Sequence, residues 1–235
     1  MILSAHQPYF APYAGFFYKV LLSDVFVILD DVQFPRGTTW ISRNRFKSRQ
    51  GTLWVTIPVW KKGLGLQKIS EVRICHEGRW RKKSLESLKV AYDRAPYFHE
   101  HLDFLEQMFS ETFKRLLDLN LATLYYLLKA LHMDTPLVRA SEIKTTSTGT
   151  IRLIEICRAM GAGRFLAQSA AAKYLEKNRF LDAGIDLFFC KPPTPVYPQL
   201  WGDFISNLSV FDLLFNCGLK AHDILFQGKS NRSKI

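Results

Sequence analysis

The sequence predicts an α/β fold on a mostly parallel, Rossmann-like sheet, with a β-rich insertion and a helical segment. Three observations predict it. Two short apolar runs that read as buried strands, residues 2–5 and 24–29, flank one amphipathic stretch at 13–22, and two buried strands joined by a helix form a parallel crossover. Strand and helix signals alternate again over the last hundred residues, as a resumed parallel sheet requires. With 235 residues, 48% of them hydrophobic, the chain can bury a full core.

The elements follow in order. In the first helix Phe16, Phe17, Val20 and Leu21 recur at helical spacing, after a loop carrying Pro8 and Pro12. Residues 24–29 (DVFVIL) are β-branched and aromatic. From 40 to 75 the pattern turns to β. Arg43, Arg45, Lys47 and Arg49 alternate with Asn44, Phe46 and Ser48, Gly51 can turn the chain into a strand at 53–59, and 69–74 alternates as another. Residues 79–133 read as helical: Leu85, Leu88 and Tyr92 mark one stripe, 98–119 and 121–131 carry two more, and Pro96 and Asn120 are natural breaks. Then come strands at 137–140, 164–168 and 185–189. Between them lie helices at 151–160, ended by Gly161, and 170–182, ended by Gly184. Pro192-Pro193-Thr194-Pro195 forces an extended exit, and Ser209 caps a short helix that Gly218 ends. The reading is one domain over 1–228, with the insertion at 40–75 and the helical segment at 79–133, then a basic tail at 229–235.

Lysine and arginine outnumber the acids by eleven. Such a balance implies anionic partners, and an anionic small molecule is expected: a nucleotide-sugar or an acyl donor. Nucleic acid is not, because no helix-turn-helix, zinc finger or RNA-binding aromatic signature accompanies the charge. No run of about 18 uncharged apolar residues predicts a transmembrane helix. The opening MILSAHQPYF lacks a basic segment followed by an apolar one, so a cytoplasmic location is expected. Cys75, Cys157, Cys190 and Cys217 are far apart, without metal-ligand spacing, and read as reduced, mostly buried thiols. No metal site is expected, and the sequence leaves any cofactor unknown.

Ligands of parallel sheets bind outside the carboxyl ends of the strands. His6-Gln7-Pro8 follows the first strand and Asp30-Asp31 the second, so these groups are expected at one edge, where a histidine facing a carboxylate can act as general base. Because strand side chains alternate, one aspartate can enter the site while its neighbour caps backbone amides. The plainer alternative makes both aspartates turn residues. Arg43, Arg45, Lys47 and Arg49 would share one strand face, with Asn44 opposite, and bind a diphosphate or sit solvated. Arg79, Arg81, Lys82 and Lys83 open a helix, the unfavourable end for cations. Tyr197 and Trp201 can stack on a sugar or base, or pack a C-terminal arm against the core. Asn207 and Asp212 bracket the cap of the last predicted helix.

Several of these residues, in this order, resemble the WbqC-like family. The likeness rests on His6-Gln7-Pro8-Tyr9 with Pro12 and Gly15, on Ser23 to Val27, on Asp30-Asp31-Val32-Gln33-Phe34, and on Asn44-Arg45 after Trp40. It continues through Trp54 to Pro58, Gly161-Ala162, the run from Tyr197 to Gly202, Asn207 to Ser209 and Asp212 to Asn216, spanning about residues 2–226. The resemblance implies an association with O-antigen and other surface polysaccharides, and a transferase placing an acyl or aminoacyl group on a nucleotide-linked amino sugar. The positions it carries over are His6, Gln7, Asp30, Asp31, Gln33, Asn44, Arg45, Tyr197, Trp201 and Asp212. In one place the chain departs. After 164–168, relatives often have a Ser-Gly step, whereas this chain runs Ser169-Ala170-Ala171-Ala172-Lys173-Tyr174. Tyr174 is kept as a substrate-binding candidate and Ser169 can cap a helix, but no glycine lets backbone amides close on a phosphate.

The catalytic candidates are therefore His6, Asp30 and Asp31. The binding candidates are Gln7, Gln33, Arg43, Asn44, Arg45, Tyr174, Tyr197 and Trp201. Acyl transfer is the leading activity; the alternatives are a nucleotidyltransferase-like ATP-dependent enzyme and a non-enzymatic sugar- or nucleotide-binding protein.

Overall fold

The computed structural model describes residues 1–110 and 113–226, and the basic tail read at 229–235 lies outside them. The chain forms β1 (Ile2–His6), α1 (Ala14–Leu21), β2 (Val25–Ile28), β3 (Arg43–Ser48), β4 (Gly51–Thr56), α2 (Trp80–Tyr92), α3 (Leu102–Met108) and α4 (Leu116–Ala130). It continues with β5 (Leu137–Arg139), α5 (Gly149–Ala159), β6 (Arg164–Gln168), α6 (Lys177–Asp182), β7 (Asp186–Cys190), α7 (Val210–Cys217) and α8 (Lys220–Phe226). No helix among the described residues is long and apolar enough to cross a membrane.

The fold is α/β, as the sequence predicts. Five parallel strands lie in the order β5-β2-β1-β6-β7, and β3 and β4 pair antiparallel as a separate hairpin. Alternation along β2 divides the core. Phe26 and Ile28 face one apolar cluster with Phe16, Phe17 and Val20 of α1. Val27 faces another with Ile154 and Ile156 of α5, Phe165 of β6 and Phe180 of α6. The first cluster also takes Phe46 of β3, Leu88 of α2, Leu124 of α4 and Phe211 of α7, so the hairpin and the long helices are packed into the sheet's own core.

The order gives the sheet its functional geometry. From β1 the chain steps outward through β2 to β5, then returns to the other side of β1 and continues through β6 to β7. The reversal between β1 and β6 is the topological switch point, where the loops leaving two neighbouring strands diverge and open a crevice.

Four local expectations need correction. The alternating stretch 69–74 is a 3-10 turn, Ile69–Glu71, because its amides are drawn to Val32, Asp30 and Lys114 carbonyls rather than to one partner strand. Asn120 does not break a helix: it lies within α4, where its carboxamide donates to the Pro8 and Ile41 carbonyls, both at 2.8 Å. The stretch 98–119 is a 3-10 turn at Phe98–His101, then α3, with α4 starting only at Leu116. The helix read at 170–182 is a 3-10 turn, Ser169–Lys173, followed by α6, and Ser169 spends its hydroxyl on the Cys190 carbonyl at 3.0 Å instead of capping. By contrast Ser209 caps α7 and Gly218 ends it, as expected.

Candidate functional site

The loop leaving β1, residues 7–13, is fastened from the insertion side. Asn44 of β3 donates to the carbonyls of Phe10 (2.9 Å) and Ala11 (2.8 Å), Asn120 holds Pro8, and the Phe10 amide reaches the Trp40 carbonyl at 2.9 Å. Ala11 is thereby kept at φ 42°, a conformation a non-glycine residue adopts only when its surroundings enforce it. Asn44 is therefore the loop's anchor, with both amide hydrogens committed.

Above this loop, at the switch point, opens a cleft of about 440 Å³. Tyr9 and Tyr13 line it from the β1 loop, Trp40 from the turn before β3, Asn44 and Arg45 from β3, Gln168 from the end of β6, and Pro192–Thr194 and Asn207 from the C-terminal arm. Gln168 donates to the Tyr13 hydroxyl (3.0 Å) and the Gly15 carbonyl (3.1 Å), tying β6 to the start of α1. Gly15 is required there: a Cβ would lie 2.5 Å from the Tyr13 ring and 3.0 Å from Pro192. Arg45 supplies the cleft's positive charge. One guanidinium nitrogen donates to the Asn207 carbonyl at 2.9 Å, while its buried Nε has no partner. Burial raises the pKa of both Tyr9 and Tyr13, so these phenols stay protonated donors.

His6 lies behind Tyr9. The two rings meet edge-on with centroids 4.4 Å apart, and Phe16 closes the other side at 5.1 Å. Nδ1 is 2.9 Å from the Gln7 carbonyl. A carbonyl only accepts, so Nδ1 carries the proton and Nε2 keeps its lone pair. Burial, with help from the nearby Lys19 cation, pushes the imidazole pKa down to about 3. Lys19 is itself buried, with one hydrogen bond to the Ala5 carbonyl at 2.9 Å, and desolvation lowers it to about 7.

The carboxylates expected beside His6 have other partners. Buried Asp30 accepts the Ser141 amide at 2.9 Å and its hydroxyl at 2.6 Å, pinning the turn after β5. Asp31 pairs with Arg152 of α5, one guanidinium nitrogen reaching both oxygens at 2.6 and 2.5 Å. Both therefore lean toward β5 and α5, whereas the cleft opens on the opposite side of β1.

The other expected ligands divide similarly. Arg43, Arg45 and Lys47 share a strand face, but the C-terminal arm covers its far end. Lys47 is buried and donates to Asp203 O (2.7 Å) and Gln199 Oε1 (3.1 Å), and Arg49 falls beyond β3. Tyr197 donates to Asp212 at 2.8 Å, and Tyr92 donates to the other oxygen of that carboxylate at 2.6 Å. Trp201 donates to the Ala91 carbonyl at 2.7 Å. These residues of the aromatic segment thus fasten the arm to α2 and α7 rather than line the cleft. Gln33 is exposed and bridges Lys68 through its backbone. Tyr174 is 73% exposed at the end of a 3-10 turn. Gln7 offers its carbonyl to His6.

The model of the WbqC-like protein family matches residues 7–224. The chain belongs to this family. It is also 32% identical over 222 residues to the uncharacterized protein Rv1507c of Mycobacterium tuberculosis, covering 93% of this chain and 95% of that protein. No solved structure gives a significant match. In this WbqC-like chain the motif from Tyr197 to Gly202 has an architectural use, as do Asp30, Asp31 and Asn44.

Sequence reasoning missed Tyr9, Tyr13, Trp40, Gln168 and Asn207 as site residues. The usable signal for Gln168 was its place as last residue of a strand, and it pointed nowhere until β6 was known to lie beside β1.

Proposed function

We propose that this chain is an enzyme of surface-polysaccharide assembly that transfers an acyl or aminoacyl group to a nucleotide-linked amino sugar held in the switch-point cleft. One observation carries the reading: a cleft of sugar size lies at the carboxyl ends of β1 and β6, walled by three aromatic rings, with one oriented guanidinium and a Gln–Tyr hydrogen-bond pair. Aromatic walls with a few fixed polar groups suit a sugar ring, and an arginine suits the phosphate that follows it.

In this reading Arg45 holds phosphate, Tyr13 and Gln168 bind sugar hydroxyls, and Tyr9 flanks the reacting amine. The amine nitrogen attacks the carbonyl carbon of an activated acyl donor, the N–C bond forms and the bond to the leaving group breaks. His6, neutral and unprotonated at Nε2 but behind Tyr9 and outside the cleft lining, is assigned the amine's proton, which it passes to the leaving group. Its orientation comes from the Gln7 carbonyl, not from Asp30 or Asp31. The test is a thermal-shift panel of UDP- and dTDP-amino sugars, acyl-CoAs, glycine and ATP. A ligand at 100 times its Kd adds about 2.7 kcal/mol, and Gln168→Ala should abolish the shift. If His6→Ala leaves turnover within a few fold of the parent, the proton-transfer role is wrong.

A second reading draws on the strand order, which is that of doubly wound nucleotide-binding sheets: an ATP-dependent, nucleotidyltransferase-like enzyme. It requires a stabilising shift with magnesium and ATP, and an unchanged melting temperature removes it.

A further inference from the structure

Beside the cleft the β3–β4 hairpin and the turn that leads into it carry a row of four side chains that the reading above uses only in part. Trp40 and Arg45 line the cleft. Arg45 stands directly opposite Trp54 in the hairpin register. The indoles of Trp40 and Trp54 lie 5.7 Å apart at 31°, and they remain 40% and 44% exposed. The Arg43 guanidinium carbon lies 3.7 Å from the Trp54 ring centroid, and that of Arg45 lies 5.7 Å from Trp40.

Two features mark this row as a ligand surface rather than a solvated edge. Two large apolar rings left in water side by side are a standing cost that a stacked ring would relieve. In addition, Arg43 is stacked and half-buried, yet its side chain makes no hydrogen bond among the described residues, which leaves its terminal guanidinium nitrogens uncommitted. Arginines held by stacking, with free donors aimed beside an aromatic face, suit a group that is anionic and flat at once.

We infer that the Trp40–Trp54 pair is the nucleobase platform of this protein, and that Arg43 and Arg45 receive the diphosphate between the base on the hairpin and the sugar in the cleft. The inference rests on the reading of the cleft as a nucleotide-sugar site and adds to it where the nucleotide half lies. A nucleobase stacks on any indole face largely irrespective of its identity, so the platform selects for a nucleoside diphosphate as a class. A mononucleotide is favoured over a nucleic-acid strand because the cleft beside the platform, lined in part by Pro192–Thr194, has a volume of only about 440 Å³.

The experiment titrates the protein with UDP, dTDP, ADP, a UDP-amino sugar, inorganic pyrophosphate, a free amino sugar and a single-stranded oligonucleotide, by calorimetry and tryptophan fluorescence, and incubates the UDP-amino sugar with acyl-CoAs to look for product by mass spectrometry. Parent, Trp54→Ala and Trp60→Ala are compared, with circular dichroism as the check on folding. Trp60 is as exposed as the pair, at 42%, but belongs to neither the row nor the cleft. The nucleoside diphosphates should bind at least ~10-fold tighter than pyrophosphate, within the range of base–aromatic stacking. Trp54→Ala should erase that advantage and Trp60→Ala should keep it. Pyrophosphate binding as tightly as UDP, an advantage that survives Trp54→Ala, a free amino sugar quenching the pair equally, or preference for the oligonucleotide would each overturn the assignment. If a UDP-amino sugar binds with an affinity indifferent to Trp54, the platform fails and the cleft reading stands. If nucleoside diphosphates bind through Trp54 but no acylated product forms, the platform stands and the transferase reading fails. Absence of binding by every probe overturns both.

Discussion

Acidification offers a direct measurement of the state of His6. The folded protein holds this imidazole at about 3, against 6.5 in an unfolded chain. Between those values the unfolded state binds a proton that the folded state refuses, so stability is present above 6.5 and is lost as pH falls toward 3. At 1.36 kcal/mol per unit, the full window corresponds to about 4–5 kcal/mol, and the part between pH 6.5 and 4 to about 3 kcal/mol. The cause is visible around the ring: Tyr9 and Phe16 pack against it on two sides, and Lys19, charged below about 7, repels a second positive charge. The perturbation is His6→Asn, whose amide nitrogen can replace Nδ1 as donor to Gln7 but does not titrate. Urea unfolding followed by tryptophan fluorescence at pH 7, 5.5 and 4 gives the difference in stability between parent and variant at each pH. That difference should move by about 3 kcal/mol against the parent on going from pH 7 to 4. A movement below ~1 kcal/mol would mean that the ring is solvated, and the argument for a neutral imidazole behind Tyr9 would fall with it.

Three further outcomes follow from the contacts. Tyr197→Phe removes a 2.8 Å hydrogen bond to a buried carboxylate and should cost about 1.5–3 kcal/mol in chemical unfolding while leaving UDP-sugar affinity unchanged; a loss of affinity without a loss of stability would return Tyr197 to the substrate. Asp31→Ala and Arg152→Ala should each destabilise by about 2–3 kcal/mol, since each strands a largely buried partner. The double variant should cost much less than the sum, and additivity in that cycle would show the pair to be independent. Gly15→Ala forces the Tyr13 ring and Pro192 apart. It should cost about 1 kcal/mol net of the helix propensity gained and weaken cleft ligands by ~10-fold or more, so unchanged ligand affinity would move the site elsewhere.

The strands were legible because a buried parallel strand announces itself as a short apolar run. The strand β6 falls at 164–168 as read, and β1, β2, β5 and β7 fall within one or two residues of their expected positions. Lateral order was not legible. Nothing within 164–168 says that this strand lies beside β1 and not beyond β5, so the expected site was built from the two strands nearest in sequence. The resulting trio of His6, Asp30 and Asp31 joined side chains that hydrogen bonding pulls apart. The same limit explains Asn120 and Asn44. Asparagine in an apolar helix reads as a break and in a strand as a ligand, because its true partners, main-chain carbonyls 112 and 79 residues away in Asn120's case, leave no local trace.

Those two asparagines also explain why a parallel sheet carries so large an insertion after its second strand. A proline-rich loop at a switch point has main-chain carbonyls that no sheet neighbour can satisfy, and left to water it would sample many conformations. The hairpin brings Asn44 and α4 brings Asn120, and their amide hydrogens hold three successive features of that loop, Pro8, Phe10 and Ala11. The ordering cost is met during folding, so Tyr9 and Tyr13 stand in place before any ligand arrives. The arm completes the arrangement from the far side: the Asn207 carbonyl orients Arg45, and the Tyr197–Asp212–Tyr92 chain keeps the arm against α2 and α7. The polar residues of the chain thus divide by what they hold. Asn44, Asn120 and the acids hold the main chain and one another, and the cleft's charged and aromatic groups are two phenols, an indole and one arginine, with the Gln168 carboxamide beside them. Under the proposed reading that set suits a sugar joined to an anion, and a carboxylate among them would oppose its phosphate.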